Sequence, residues 1–299
     1  MTQSYTAAET VEDALAALAS GARPVAGGTD LVVGARQGKA PLPDNIVAIH
    51  HLAELRGVHL DGDTLRVGAL TTHEEIAEHP LVIERLTALA DAAAIVGSHA
   101  TRAQGTVGGN LMNASPALEV GGPLMCFGAT VTLRSQAGER SVAVADLVAG
   151  PGRTTAGPGE LLTEVAVPLP PAAAGSCYAR LEYRQQMEIA VVGASALVAL
   201  EGDRVAAAKV AITALAPTVR LVPAAEDALV GSDGGRAAAE LAAQAAAEAS
   251  EPISDVRASE EYRRAMAAVL ARRAIEAAVA RARSVAVPVP ASRYLHAAE

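Results

Sequence analysis

Tryptophan is absent from this sequence, phenylalanine occurs once and tyrosine five times. So few rings exclude a stacking platform for nucleic-acid bases. They also leave the core to alanine, valine and leucine. Cysteine is scarcer still: Cys126 and Cys177 are the only two. An all-cysteine iron–sulfur cluster takes about four thiolates, so this chain alone does not ligate one. Two buried, unpaired thiols are expected instead. Basic runs are missing, and 24 Lys and Arg stand against 33 Asp and Glu for a formal charge of −9. That excludes a footprint for a nucleic-acid backbone. No window of about 18 uncharged apolar residues occurs, so no membrane-spanning helix is expected. The opening MTQSYTAAETVEDAL has no basic region leading into an apolar one, which points to a cytoplasmic protein.

Several chemical signatures are missing too. There is no G-x-G-x-x-G and no G-x-S-x-G. The stretch from Gly34 to Lys39 and Ala40 has the wrong spacing for a P-loop and lacks its Ser or Thr. His50 and His51 are adjacent, so on a strand they point to opposite faces and make a poor metal pair.

What is present reads as two or three domains in 299 residues. Thr10 to Ala19 is a helix with a Thr10/Asp13 cap, closed by Gly21. Strands at 23–26 and 45–49 flank a helical turn at 31–37 and make a βαβ-like unit ending near Arg56. A second unit opens with strands at 58–60 and 64–68 around Asp61-Gly62-Asp63. Thr72 and Glu75 cap a short helix, and Pro80 leads a longer one through Ala94. Residues 116–127 are mixed, with a helix near their end. Strands at 129–133, 141–144 and 161–167 follow. The run Pro168 to Pro171 and on to Gly175 reads as a linker. Beyond it, 178–183, 191–200 and 204–214 form a three-stranded antiparallel sheet, followed by helices at 223–230, 236–249 and 260–283. The last helix has an apolar face of Tyr262, Met266, Val269, Leu270 and Ile275, and the tail after Val285 is expected to fray. The resulting divisions are 1–56, 57–170, 176–285 and a tail at 286–299.

Two glycine stretches carry the chemistry. One is Ala26-Gly27-Gly28-Thr29-Asp30, running out of a strand; the other is Thr106-Val107-Gly108-Gly109-Asn110. Glycine lets backbone N–H groups come close to an anion, and the two Thr residues add hydroxyl donors. Either stretch alone also reads as an ordinary turn. Asp30 accepts hydrogen bonds from its own loop or faces solvent.

These loops, and the segments around them, closely resemble the flavoprotein (medium) subunits of molybdenum hydroxylases, including the carbon monoxide dehydrogenase and xanthine dehydrogenase types. The resemblance lies in RPVAGGTDL at 23–31, GALTTHEEI at 68–76 and GTVGGNLMNASPA at 105–117. It continues through GPGELLTEVAVP at 157–168, ISDVRASEEYRR at 253–264 and AVLARRAIEAA at 268–278. It implies an α+β fold: a two-subdomain FAD-binding domain of the PCMH/vanillyl-alcohol-oxidase-like type, then a C-terminal domain with the three-stranded sheet and helices.

The resemblance also implies sites. The FAD diphosphate falls to Ala26, Gly27, Gly28, Thr29, Asp30 and Leu31, with Thr106, Gly108, Gly109 and Asn110. Glu119 stands where many relatives have an Asp near the adenosine ribose, and Leu124 matches an apolar residue beside the flavin or adenine. Arg184 and Glu188 are candidates near the flavin, or a solvated pair. Ile189 replaces a Tyr of the carbon monoxide dehydrogenase type, so carbon monoxide as substrate does not follow. No residue here is expected to be catalytic for the organic substrate. The implied partners are a small subunit with [2Fe-2S] clusters and a large subunit with the molybdenum pterin, in a dimer of heterotrimers. Electrons would pass from those clusters through FAD to an external acceptor. Two rival readings remain. One is a self-contained reductase resembling the enolpyruvyl reductase of cell-wall synthesis, with Ser98, Ser115 and Glu188 as its only proton donors. The other is a flavin-free adaptor on the same fold.

Overall fold

A computed structural model of the chain describes residues 4–184 and 186–295. Three apolar cores succeed one another along it.

The first core lies under a parallel sheet of β1 (Ser4–Ala7), β2 (Arg23–Val25) and β3 (Asn45–Ala48), in the order β1-β3-β2. Helix α1 (Val11–Ala19) begins at the expected reciprocal cap between Thr10 and Asp13. That start sets Val11, Ala14, Leu15 and Leu18 on one stripe, which buries with Val47 and Ile49. Helix α2 (Leu31–Arg36) follows the first glycine loop and buries none of its residues. Strand β1 had no sequence signal, since all four of its residues are exposed; pairing with β3 holds it.

The second core opens with β4 (Val58–Asp61) and β5 (Thr64–Gly68), turned at Gly62 with φ 57°. Thr72 and Glu75 cap α3 (His73–Glu78) as expected. The single helix expected from Pro80 to Ala94 is two, α4 (Pro80–Arg85) and α5 (Thr87–Ala93). Leu86 breaks it with ψ 45° and an entirely buried side chain, so tertiary packing overrides helical preference. Next come α6 (His99–Arg102), α7 (Val107–Asn113) and α8 (Gly121–Cys126). They are followed by β6 (Thr130–Ser135), β7 (Gly138–Ala143), α9 (Val144–Leu147), a small ribbon of β8 (Val148–Gly150) and β9 (Arg153–Thr154), and β10 (Leu161–Pro168). The five-stranded antiparallel sheet runs β4-β5-β10-β6-β7, with β10 at its centre. Leu65, Val67, Val131, Leu133, Val165 and Val167 alternate along it and bury against the helices.

The third core packs helices on a second antiparallel sheet of β11 (Ala174–Leu181), β12 (Val192–Glu201), β13 (Arg204–Thr213) and β14 (Arg220–Leu221). The two-residue β14 adds a fourth strand to the three expected. Strand β11 starts at Ala174, inside the stretch read as linker. Helices α10 (Pro223–Leu229), α11 (Arg236–Glu248) and α12 (Glu260–Ala282) cover one face. Their contact is alanine-rich and close: a Cβ on Gly175 would lie 2.2 Å from the Ala278 carbonyl oxygen. The buried stripe of α12 is Arg263, Ala267, Leu270, Ala271, Ala274, Ile275 and Ala278, whereas Tyr262 is 44% exposed. Of the face expected from its large side chains, Leu270 and Ile275 are buried and Met266 and Val269 pack against the third core, so only Tyr262 departs from it; the alanines beside them let the backbones approach. The tail does not fray through 295. Ala291 and Ser292 are buried and lead into α13 (Ser292–Leu295). Strand β11 serves two cores: Cys177 and Ala179 face the third, and Tyr178 faces the second.

Candidate cofactor-binding site

Residues 26–31 leave β2 and bend into α2, with Gly28 at φ 68° making the bend. The N–H groups of Ala26, Gly27, Gly28, Thr29, Asp30 and Leu31 find no acceptor among the described residues. The first internal bond of this segment is from Val32 N–H to the Gly28 carbonyl, at 2.9 Å. Ala26 to Thr29 are half-buried and Asp30 is exposed. Consecutive, unshared backbone donors at such a bend make a nest for an anion.

The two glycine stretches touch. A Cβ on Gly27 would stand 1.9 Å from the Gln104 carbonyl oxygen, so only glycine lets the first loop rest on the second. Thr29 Oγ1 and the His73 ring both lie 3.4 Å from where a Cβ on Gly105 would be.

The second stretch, however, uses its donors internally. Val107 N–H donates to Thr71 at 3.0 Å, Gly108 N–H to Ala69 at 2.9 Å and Asn110 N–H to Thr106 at 2.9 Å. Gly109 N–H goes to the Thr106 hydroxyl at 3.1 Å, which caps α7. Gly108 was expected to let a diphosphate approach, but what it admits is the protein itself. It is buried, and a Cβ there would lie 2.8 Å from both the Cβ and the carbonyl oxygen of Ala69. The outward groups of this stretch are Gly109, which is exposed, and Asn110, whose Oδ1 is buried with no partner among the described residues.

Leu124 is a second correction. It is 0% exposed, because α8 turns that side into the second core. Glu119 is nearly buried, and its Oε1 accepts from Arg180 Nη1 at 2.9 Å. Arg180 is itself fully buried and also pairs with Glu182. Burial raises the Glu119 pKa, the Arg180 guanidinium lowers it, and the negative charge of Asp30 adds to the upward push. Asp30 thus lies close enough for the two carboxyl groups to sense each other.

Met187 and its neighbours after Gln185 rest on the approach to α6. Met187, at φ 52°, donates its N–H to Gly97 at 2.9 Å. Arg184, mostly exposed, donates to Glu188 Oε2 at 3.1 Å and to the Met187 carbonyl at 2.8 Å. Ile189 is 46% exposed. Gln185 lies outside the described residues. Ser98 caps α6 by accepting from Thr101 N–H, and the Ser115 hydroxyl accepts from Ala117 N–H. Both serines therefore brace backbone.

Sequence reasoning missed His73, Arg102 and Arg180. His73 is 1% exposed, and burial first, then the Arg102 charge, lowers its pKa to about 4. For Arg180 a signal existed: it alternates with Tyr178 on a strand whose other face is apolar.

Residues 1–170 match the family model described as the FAD binding domain in molybdopterin dehydrogenase. Residues 177–278 match the CO dehydrogenase flavoprotein C-terminal domain. The carbon monoxide dehydrogenase medium chain of Afipia carboxidovorans is 30% identical over 94% of this chain and 98% of its own length. In the solved structures, a chain of carbon monoxide dehydrogenase from Hydrogenophaga pseudoflava superimposes with a TM-score of 0.89 at 31% identity, covering 94% of this chain and 98% of that one. A chain of quinoline 2-oxidoreductase from Pseudomonas putida gives a TM-score of 0.88 at 30% identity, covering 95% and 98%. This chain belongs to the family of FAD-binding oxidoreductase subunits of the molybdenum hydroxylases.

Proposed function

We propose that the chain is the FAD-carrying, electron-transfer subunit of a molybdenum hydroxylase complex. The observation that carries this reading is the row of unshared N–H groups from Ala26 to Leu31. The residues present fit FAD. Main-chain donors at 26–31 and the Thr29 hydroxyl suit a diphosphate, and the unpartnered Asn110 Oδ1 suits a ring or sugar donor. Glu119 and Asp30 can accept from ribose hydroxyls. Arg184 and Ile189 lie on the segment that would flank the flavin ring. When bound, FAD supplies the redox chemistry; the chain holds it, orients it and shields it.

In this reading electrons arrive from [2Fe-2S] clusters on a small partner subunit and leave to an external acceptor. Substrate oxidation belongs to a large subunit with the molybdenum pterin, within a cytoplasmic dimer of heterotrimers. Both cysteines are buried, and no group of three or more His, Cys, Asp or Glu is placed to hold a metal among the described residues. No helix among them is long and apolar enough to cross a membrane. A self-contained reductase finds no support in the donors available to it. Ser98 and Ser115 hold backbone, and Glu188 pairs with Arg184.

The test is purification of the chain alone and co-expressed with its neighbouring genes. Yellow protein releasing FAD, and co-purification with chains that contain iron and molybdenum, is the expected result. Colourless protein that takes up no FAD would overturn the reading. So would turnover of NADPH with a small enoyl substrate by the isolated chain.

A further inference from the structure

Arg180 is entirely buried on β11, yet its guanidinium gathers separate stretches of chain. Nη1 donates to Glu119 Oε1 at 2.9 Å, just ahead of α8, and lies 3.5 Å from the Glu188 carbonyl oxygen. Nη2 pairs with Glu182. The main-chain N–H of Arg180 donates to the Ser292 hydroxyl at 2.8 Å, in the tail. The Glu119 and Glu182 side chains are only 9% and 11% exposed, so one planar fork of donors serves two acids and a carbonyl away from water.

Glu182 and Glu188 stand near the two ends of the connection from β11 to β12, described at 182–184 and 186–190. Between them Tyr183, Arg184, Gln186 and Met187 are exposed, so no apolar core fixes this connection. Polar contacts hold it instead. The Tyr183 hydroxyl donates to the Arg257 carbonyl. Met187 N–H donates to the Gly97 carbonyl at 2.9 Å, and the Thr101 hydroxyl lies 3.6 Å from the Met187 sulfur. The stretch that Met187 leans on is the one that carries the first glycine loop. Gly105 N–H donates to the Thr101 carbonyl at 2.7 Å, and Gly27 rests on the Gln104 carbonyl. Direct contacts thus run from Arg180 through the connection to the seam where the glycine stretches meet.

We propose that Arg180 is a positioning residue for the cofactor: it pins both ends of the 182–190 connection and so fixes it as the wall on the flavin side of the seat. The proposal rests on the FAD reading above. It assigns Arg180 no contact with the diphosphate, and the experiment separates the two ends of the cofactor.

The intact chain, stripped of cofactor, is titrated with FAD and with ADP-ribose (diphosphate without the flavin), as wild type, R180K and E182A. R180K keeps a buried positive charge that can pair with Glu119 but gives up the fork that reaches Glu182 and Glu188 together. E182A leaves the bond to Glu119 in place and frees the connection at one end. In both, loss of a charge-assisted bond predicts exchange of the Met187 amide faster by about tenfold or more, and FAD binding weaker by about tenfold. ADP-ribose binding should keep its wild-type value, and the visible absorption of bound FAD should shift. A merely structural arginine would instead lower the thermal midpoint and weaken both ligands alike. That outcome overturns the proposal, as does wild-type Met187 exchange or wild-type FAD affinity in either folded variant. Loss of the fold in both variants would make Arg180 a stability residue and overturn it as well. Failure of the wild type to bind FAD would instead sink the underlying reading.

Discussion

Asp91 and Arg281, 190 residues apart in the chain, meet in a two-pronged ion pair: Nη1 lies 2.6 Å from Oδ2 and Nη2 lies 3.1 Å from Oδ1. Asp91 is fully buried and also accepts from the N–H groups of Tyr178 and Ala291. Arg281 donates further to the carbonyls of Ser176, Val287 and Pro288. One pair thus ties α5 of the second core to β11, α12 and the tail.

Breaking that pair from one side should be costly. Asp91→Asn leaves the guanidinium buried against a neutral amide, with an expected loss of about 3–5 kcal/mol. Urea denaturation should show it as a lower midpoint. Amide exchange should show residues 287–292 opening with it. A midpoint within error of the wild type would mean that the pair contributes little.

The two tightest glycines should fail in different ways. Gly27→Ala drives a methyl into the Gln104 carbonyl and parts the loops, so FAD affinity should fall by at least about tenfold, since close backbone approach is what glycine permits there. Gly108→Ala presses on Ala69 inside the protein, so its cost should be stability, roughly 1–3 kcal/mol, with FAD affinity of the folded fraction nearly intact. Fluorescence titration beside a thermal melt separates the two. Equal affinity losses in both variants would return Gly108 to the cofactor contact.

Acid should weaken the cofactor-free protein through His73. The folded imidazole stays neutral down to about pH 4, whereas the unfolded one takes a proton near pH 6.5. Between those values the unfolded state binds the extra proton, so stability is full above pH 6.5 and falls as pH drops towards 4. The loss from this group is up to about 3 kcal/mol. A urea-midpoint series from pH 7 to pH 4 should slope less steeply in His73→Gln than in wild type. Parallel slopes would show that His73 is not the group responsible.

Helix starts were legible because a cap is local: Thr10 with Asp13 and Thr72 with Glu75 sit three residues apart. Strands with one buried face announced themselves by alternation, as in β6 and β10. Leu86 did not, since nothing local breaks a helix there and only burial of that side chain does. The face of α12 was legible in Met266, Val269, Leu270 and Ile275, but the alanines beside them, which fill much of the buried stripe, were not weighed. At the site, the first glycine loop was legible as an exposed backbone. The inward turn of Gly108 and Leu124 was not, because it depends on Ala69 and on the core beneath α8, both distant in sequence. Arg102 was hidden for the same reason, because its burial is tertiary, whereas Arg180 left a signal in its alternation with Tyr178.

Amide hydrogen exchange with and without FAD tests the central claim most directly. If the diphosphate sits on the first loop, the amides of residues 27–31, unshared in the protein alone, gain strong protection when FAD binds. The amides of Val107 and Gly108, already bonded to Thr71 and Ala69, should change far less. FAD-loaded protein in which 27–31 exchange as fast as without the cofactor would contradict the assignment.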